Sequence, residues 1–155
     1  MALGVGDNAP DFALRDQHGQ TVQLSGLLGQ RAALLVFYPW AFSRVCRGEL
    51  HQIQGRMGEL SAGQVQVLAV SCDPMFALRA WADREGFTFP LLADFWPHGE
   101  VARAYGVFNE DIGIAERGSF LVDRWGTIRW QVLTGIPDAR SVDDYVRAVA
   151  TLIAG

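Results

Sequence analysis

The sequence predicts an α/β fold with a mixed central sheet, helices on both faces and an N-terminal β-hairpin. A continuous apolar run, AALLVFY at 32–38, is typical of a central strand that is covered on both faces. Strand and helix patterns alternate after this run, and the series finishes in a hairpin pattern at 118–133. Parallel strands joined by helices, followed by an antiparallel pair, predict this mixed sheet.

The first half of the chain supplies the N-terminal hairpin, the central strand and a long helix. Two short strand patterns in 11–24 surround a turn that contains Gly19. After the central strand, apolar residues recur at helical spacing and predict a helix from 43 to about 60. These residues are Leu50, Ile53, Met57 and Leu60.

The second half continues the alternation. Residues 64–71 predict a strand, and the next helix is expected to have Asp73 as its N-cap and Pro74 at its first position. A short strand at 89–94 and a short helix over 97–106 follow.

The chain is expected to end in a hairpin and a helix. The 118–133 hairpin turns at Trp125 and Gly126, and Ser141 caps the last helix. One face of that helix carries an apolar stripe of Val142, Tyr145, Val146, Val149 and Ile153.

Length and composition limit the functions to consider. We expect 155 residues to form one domain, spanning 1–155. A net charge of −4 without runs of like charge argues against nucleic acid and anionic lipid as partners. No apolar run reaches membrane-spanning length and no basic leader precedes Asp7, so a cytoplasmic location is expected.

Neither a nucleotide cofactor nor a metal is expected. The loop after the first long strand reads PWAFSRVC and lacks the glycines that cradle phosphates. No CxxC or Cys/His cluster offers zinc-ligand spacing, and each histidine, His18, His51 and His98, stands alone in its segment, which favours structural roles.

The stretch FYPWAFSRVCRGEL carries the strongest chemical signal. If Ser43 is the N-cap of the next helix, Cys46 lies at its third position, among unpaired N–H groups and at the positive end of the helix dipole. This environment favours a thiolate. Pro39 stiffens the preceding loop, and Glu49, one turn beyond Cys46, is placed to orient an arginine. A buried cysteine that only fills the core is the alternative.

With these residues in view, the sequence is identified as a member of the peroxiredoxin family. Pro39, Ser43 and Cys46 form PxxxSxxC, which resembles the family signature PxxxT/SxxC. The stretches FPLLADFWPHG and AYGVFNEDIGIAERGSF are similar to the AhpE-type one-cysteine subgroup, the alkyl hydroperoxide reductases E. The resemblance covers nearly the whole chain and implies a thioredoxin-like fold and reduction of hydroperoxides without a cofactor.

The resemblance also implies residue roles. Cys46 would be the peroxidatic nucleophile, Ser43 would hydrogen-bond the peroxide oxygens and Pro39 would shield the site. Arg117 would hold the thiolate and polarise the O–O bond. We assign supporting roles to Glu49 and to Trp81, whose helical spacing with Leu78 is typical of core residues.

Recycling of the oxidised cysteine remains open between an internal and an external thiol. Cys72 is the other cysteine of the chain and does not match a known resolving position, so a one-cysteine cycle is favoured. By resemblance, the reductant is mycothiol with a mycoredoxin, or thioredoxin, and the protein is a homodimer. Trp40 and Phe42 would line an apolar entrance or a dimer contact.

Two other functions compete with a peroxidase. One is a thiol-disulfide oxidoreductase that uses Cys46 and Cys72, against which the lack of a CxxC motif counts. The other is a peroxide sensor or holdase whose partner surface changes when Cys46 is oxidised. Paired donors at Ser43 and Arg117 favour turnover, because a sensor does not need groups that stabilise a transition state.

Overall fold

A mixed seven-stranded sheet forms the centre of the computed structural model, which describes residues 1–155. The chain has nine strands in all, and seven of them belong to this sheet. They are β1 Ala13–Arg15, β2 Thr21–Gln23, β3 Ala32–Phe37, β4 Val65–Ser71, β5 Leu91–Ala93, β6 Phe108–Asn109, β7 Ile114–Ala115, β8 Arg117–Val122 and β9 Ile128–Thr134. The order is β2-β1-β5-β4-β3-β8-β9, and β6 and β7 form a separate pair.

The predicted sheet is confirmed. Strands β3, β4 and β5 are parallel, whereas β1 runs antiparallel to β5 and β8 antiparallel to β3. The N-terminal hairpin joins β1 to β2, and the C-terminal hairpin joins β8 to β9. The sequence analysis missed β6 and β7, since two-residue strands are too short to show a period.

Six helices surround the sheet. They are α1 Leu24–Leu27, α2 Arg44–Gly55, α3 Met57–Leu60, α4 Met75–Glu85, α5 Glu100–Ala104 and α6 Val142–Ala154, with a 3₁₀ turn at Ala62–Gln64. The predicted helix over 43–60 is wrong as one element, because it breaks at Arg56 into α2 and α3. Gly55 and Gly58 lie beside the break, and glycine weakens a helix.

Two predicted helix starts need correction. Pro74, not Asp73, is the N-cap of α4, because the Asp73 carboxylate accepts from the Ala41 N–H and the Ser71 hydroxyl instead. Helix α5 begins at Glu100 rather than at 97. Ser141 does occupy the N-cap position of α6, but its side chain makes no capping hydrogen bond.

Two apolar layers lie on opposite faces of the sheet. Helices α2, α4 and α6 cover one face, which we call the Cys46 layer, and α1 and α5 cover the other, which we call the Cys72 layer. Alternate side chains of β4 divide between them: Val67 and Ala69 belong to the Cys46 layer, Leu68 and Val70 to the Cys72 layer. No helix has both the length and the apolar character that crossing a membrane requires.

Candidate active site

Cys46 lies in the first turn of α2, just beyond the carboxyl end of β3. Ser43 is the N-cap of this helix, as predicted, and its Oγ accepts from the Cys46 N–H at 3.4 Å. The Cys46 side chain is fully buried, whereas Ser43 is partly exposed. The Ser43 hydroxyl accepts in this contact, so its own proton stays available for donation.

Arg117 brings a cation to the sulfur from the start of β8. Its Nη1 donates to Cys46 Sγ at 3.3 Å and to Glu49 Oε1 at 2.5 Å. Its Nε donates to the carbonyl oxygen of Ile136 at 2.5 Å. The guanidinium is 2% exposed, so these contacts act with little screening by water. The resemblance implied that Arg117 lies beside Cys46, and the structure brings the two side chains into contact.

Glu49 holds the arginines in place. Burial raises the pKa of its carboxyl, but hydrogen bonds and charge from Arg140, then the charge of Arg117, more than offset this and leave the pKa below its ordinary value. Glu49 is thus ionised at neutral pH. A buried carboxylate one helical turn from Cys46 orients Arg117, as the spacing suggested.

Arg140 is a site residue that the sequence analysis missed. Its main-chain N–H and Nε donate to Glu49 Oε2 at 2.7 and 2.9 Å, and its Nη2 donates to Oε1 at 3.0 Å. Its Nη1 also donates to the carbonyl oxygens of Phe37 and Gly118 and to Ser119 Oγ. Arg140 therefore joins the end of β3, the start of β8 and α2.

Pro39 and Trp81 shape the loop between β3 and α2. Pro39 is buried, and Trp81 is fully buried beneath the loop, with its ring 5.7 Å from Tyr38 and 6.1 Å from Phe42 between centroids. Phe42 has a φ of 68°, a left-handed conformation that costs a residue with a side chain about 1–2 kcal/mol. Packing against Trp81 helps to hold this conformation directly before Ser43.

Trp40 and Phe42 are the exposed aromatic residues of this loop, at 42% and 50%. His51 and His98 make structural contacts away from Cys46. His51 pairs with Glu85 at 2.7 Å, and His98 contacts the carbonyl oxygens of Phe95 and Gly113.

Cys72 follows β4 on the other face of the sheet. Its side chain belongs to the Cys72 layer, whereas Cys46 belongs to the opposite one, and both thiols are free. Burial, followed by the negative charge of Asp94, raises the pKa of the Cys72 thiol to about 12. Because the sheet separates the two cysteines, the resting structure does not bring them together.

Comparisons with known proteins place the chain in a family. Residues 5–131 match the model of the AhpC/TSA family. The chain belongs to the AhpC/TSA family. The alkyl hydroperoxide reductase E of Mycobacterium tuberculosis and that of Mycobacterium bovis are each 48% identical to it over 152 residues, which cover 98% of this chain and 99% of each relative.

Solved structures of this family agree on the fold. AhpC of Enterococcus faecalis superposes with a TM-score of 0.88 at 31% identity, covering 99% of this chain and 95% of that one. Peroxidoxin BcpB of Mycobacterium tuberculosis gives 0.86 at 25% identity, covering 97% and 98%. The predicted thioredoxin-like fold is confirmed, and so is the prediction of a thiol-dependent peroxidase related to alkyl hydroperoxide reductase E.

Proposed function

We propose that this member of the AhpC/TSA family reduces hydrogen peroxide and alkyl or lipid hydroperoxides through a sulfenic acid on Cys46. The contact from Arg117 Nη1 to Cys46 Sγ at 3.3 Å carries this proposal. It places a fixed cation beside the one thiol that also lies at a helix N-terminus. Cys72 has neither feature.

The proposed reaction is an in-line displacement. The Cys46 thiolate attacks the distal oxygen of ROOH, the S–O bond forms and the O–O bond breaks. The departing alkoxide takes a proton and leaves as ROH, or as water when the substrate is hydrogen peroxide. The sulfur gives up two electrons to the peroxide and becomes a sulfenic acid, Cys46–SOH.

Ser43 and Arg117 supply donors where negative charge develops. The guanidinium pairs with the thiolate before the reaction and with the peroxide oxygens as the O–O bond breaks, while the Ser43 hydroxyl donates to the substrate from the solvent side. Pro39 contributes no N–H and keeps the loop rigid. Glu49 and Trp81 act by positioning Arg117 and the loop, respectively.

An external thiol completes the proposed cycle. A first thiol RSH condenses with Cys46–SOH, forming a mixed disulfide and releasing water, and a second thiol then displaces Cys46 as a thiolate. We propose a one-cysteine cycle because Cys72 lies across the sheet. A low-molecular-weight thiol such as mycothiol with a mycoredoxin, or thioredoxin, would serve as the reductant, in the cytoplasm.

Trp40 and Phe42 fit two proposed roles beside the entrance. Their exposed rings offer an apolar surface for the alkyl part of a hydroperoxide. The same surface suits a contact between two copies of the chain, and we propose a homodimer on this basis.

Stopped-flow tryptophan fluorescence tests the proposal. The reduced protein, Cys46→Ser and Cys72→Ser are each mixed with hydrogen peroxide or with an alkyl hydroperoxide. A signal much faster than the reaction of free cysteine is expected for the wild type and for Cys72→Ser, and none for Cys46→Ser. A wild-type reaction no faster than free cysteine would contradict the peroxidase proposal and favour a sensor.

A further inference from the structure

A cavity of about 370 Å³ lies at the end of the sheet remote from Cys46. Ala32, the first residue of β3, lines it, whereas Cys46 follows the last residue of the same strand. Five steps of about 3.3 Å separate the two ends of β3 by about 17 Å. The cavity is therefore distinct from the peroxidase site, and the proposed reaction makes no use of it.

One wall of this cavity is apolar. Leu121 and Trp130 form it from the C-terminal hairpin, and Leu152 and Ile153 form it from the end of α6. Its volume falls in the range of sites that enclose small organic ligands. An apolar chain or an aromatic ring fits this wall better than a polar group does.

The rim of the cavity carries two arginines. The Arg124 guanidinium stacks 4.6 Å above the Trp125 ring and takes part in no salt bridge. Arg129 is 53% exposed and contacts Asp123 with Nη1 alone, at 3.3 Å. Both guanidinium groups retain N–H donors for a further anion.

Of the two arginines, Arg129 pairs with Asp123, and Arg124 has no acidic partner. Asp123 is 5% exposed, and its carboxylate already accepts from the N–H groups of Trp125 and Thr127 and from Arg129. The other side of the rim is the C-terminal end of α6 with Gly155, where helix carbonyl groups repel anions. A bound anion would therefore face Arg124 and Arg129.

We propose that this cavity binds a small anionic amphiphile, with an apolar or aromatic body and a single carboxylate or sulfonate. The body packs against Trp130, Leu152 and Ile153, and the acidic group pairs with Arg124 and Arg129. Guanidinium groups suit such an acid because they donate two parallel hydrogen bonds to it.

A matched pair of probes tests the proposal on the full-length protein. The sulfonate 8-anilinonaphthalene-1-sulfonate and the uncharged N-phenyl-1-naphthylamine share the same aromatic body. We expect the sulfonate to bind in a one-to-one ratio and about fivefold more tightly than the uncharged compound, as an accessible ion pair allows. Equal affinity of the two compounds would overturn the assignment of an anionic ligand.

Two variants locate the binding. Arg124→Gln is expected to remove most of the preference for the sulfonate, and Thr151→Phe, which fills the cavity from α6, to abolish binding. Arg79→Gln, at an exposed arginine on α4, is the charge-matched control and should bind as the wild type does. All three variants should keep the wild-type rate with peroxide. Binding that survives Thr151→Phe, or that Arg79→Gln weakens as much as Arg124→Gln, would overturn the proposal.

Discussion

Cys46 and Cys72 are both buried free thiols near the carboxyl ends of neighbouring parallel strands, yet the charged groups closest to them differ. Cys46 lies at a helix N-terminus with the Arg117 guanidinium at 3.3 Å. Cys72 lies in an apolar layer beside the carboxylate of Asp94, and its pKa is raised to about 12. Cys46 faces a fixed cation, whereas burial and a nearby carboxylate disfavour the charged form of Cys72.

If Cys46 reacts as proposed and Cys72 does not, burial by itself does not decide whether a cysteine reacts. What differs is the nearest charged group, which is the Arg117 guanidinium at Cys46 and the Asp94 carboxylate at Cys72. At Cys46 the donors are themselves fixed, because Glu49 is shared by Arg117 and Arg140. The buried Glu49 carboxylate thus holds two guanidinium groups in place, and that of Arg117 contacts the sulfur.

Of the substitutions considered, removal of the cation beside Cys46 should lower the reaction rate with peroxide most. We expect Arg117→Gln to lower the second-order rate constant with hydrogen peroxide by about a hundredfold or more, since one donor to a developing anion contributes about that much. Arg117→Lys tests whether charge alone suffices, and thermal unfolding of both variants checks that they fold. A rate within threefold of wild type would show that Arg117 does not act on the reacting sulfur.

The Cys72 thiol should be sluggish towards alkylating reagents. A pKa of about 12 leaves little thiolate at pH 8, and the higher nucleophilicity of a basic thiolate compensates in part, so the net deficit is roughly fiftyfold relative to free cysteine. Iodoacetamide labelling of Cys46→Ser, followed by mass spectrometry, measures this rate. Labelling as fast as that of free cysteine would remove the contrast between the two sites.

Arg140 should matter less than Arg117, because it makes no hydrogen bond to the sulfur and binds Glu49 instead. We expect Arg140→Gln to lower the peroxide rate about tenfold and to destabilise the fold, since it leaves part of a buried carboxylate unpaired. Arg129→Gln, which breaks a half-exposed ion pair, is the control and should leave the rate unchanged. Equal effects of the two substitutions would place Arg140 outside the site.

The lowered pKa of Glu49 predicts how stability depends on pH. The folded protein holds this carboxyl ionised more strongly than the unfolded chain does, so its contribution is present above the ordinary value near 4.5 and is lost as the pH falls through the folded value. Urea unfolding of wild type and Glu49→Gln should thus differ most near neutral pH and converge in acid. A difference in unfolding free energy between the two proteins that does not change with pH would contradict an ionised Glu49.

The smallest effect is expected when Ser43 is replaced by threonine. Ser43→Thr keeps the hydroxyl and adds the methyl group that restricts χ1, so the rate should change by no more than about threefold. Ser43→Ala is the matched variant without the hydroxyl and should lose about tenfold or more. If the alanine variant reacts as fast as wild type, the hydroxyl has no part in the reaction.

Local patterns in the sequence were enough for the sheet and for half of the site. The spacing of Ser43, Cys46 and Glu49 on one helix start is a local property, and the structure reproduces it. Side chains along a strand point alternately to the two faces of the sheet. The spacing of two residues from Leu68 to Val70 to Cys72 therefore places Cys72 on their face.

Contacts between distant segments were beyond the reach of such patterns. Arg140 lies 91 residues from Glu49 in a segment without periodicity, so only the folded chain reveals their pairing. Asp73 looked like a helix cap, but Ala41 and Ser71 compete for its carboxylate in the fold. The left-handed Phe42 depends on packing against Trp81 and has no local signal either.

Intact mass after one equivalent of peroxide, with a reagent that traps sulfenic acids, tests the contrast between the two cysteines most directly. A gain of one oxygen, trapped on Cys46 in both the wild type and Cys72→Ser, is the predicted result. A loss of two hydrogens that requires both cysteines would mean that a disulfide forms across the sheet, and would contradict the account of Cys72 as a thiol separated from the reaction.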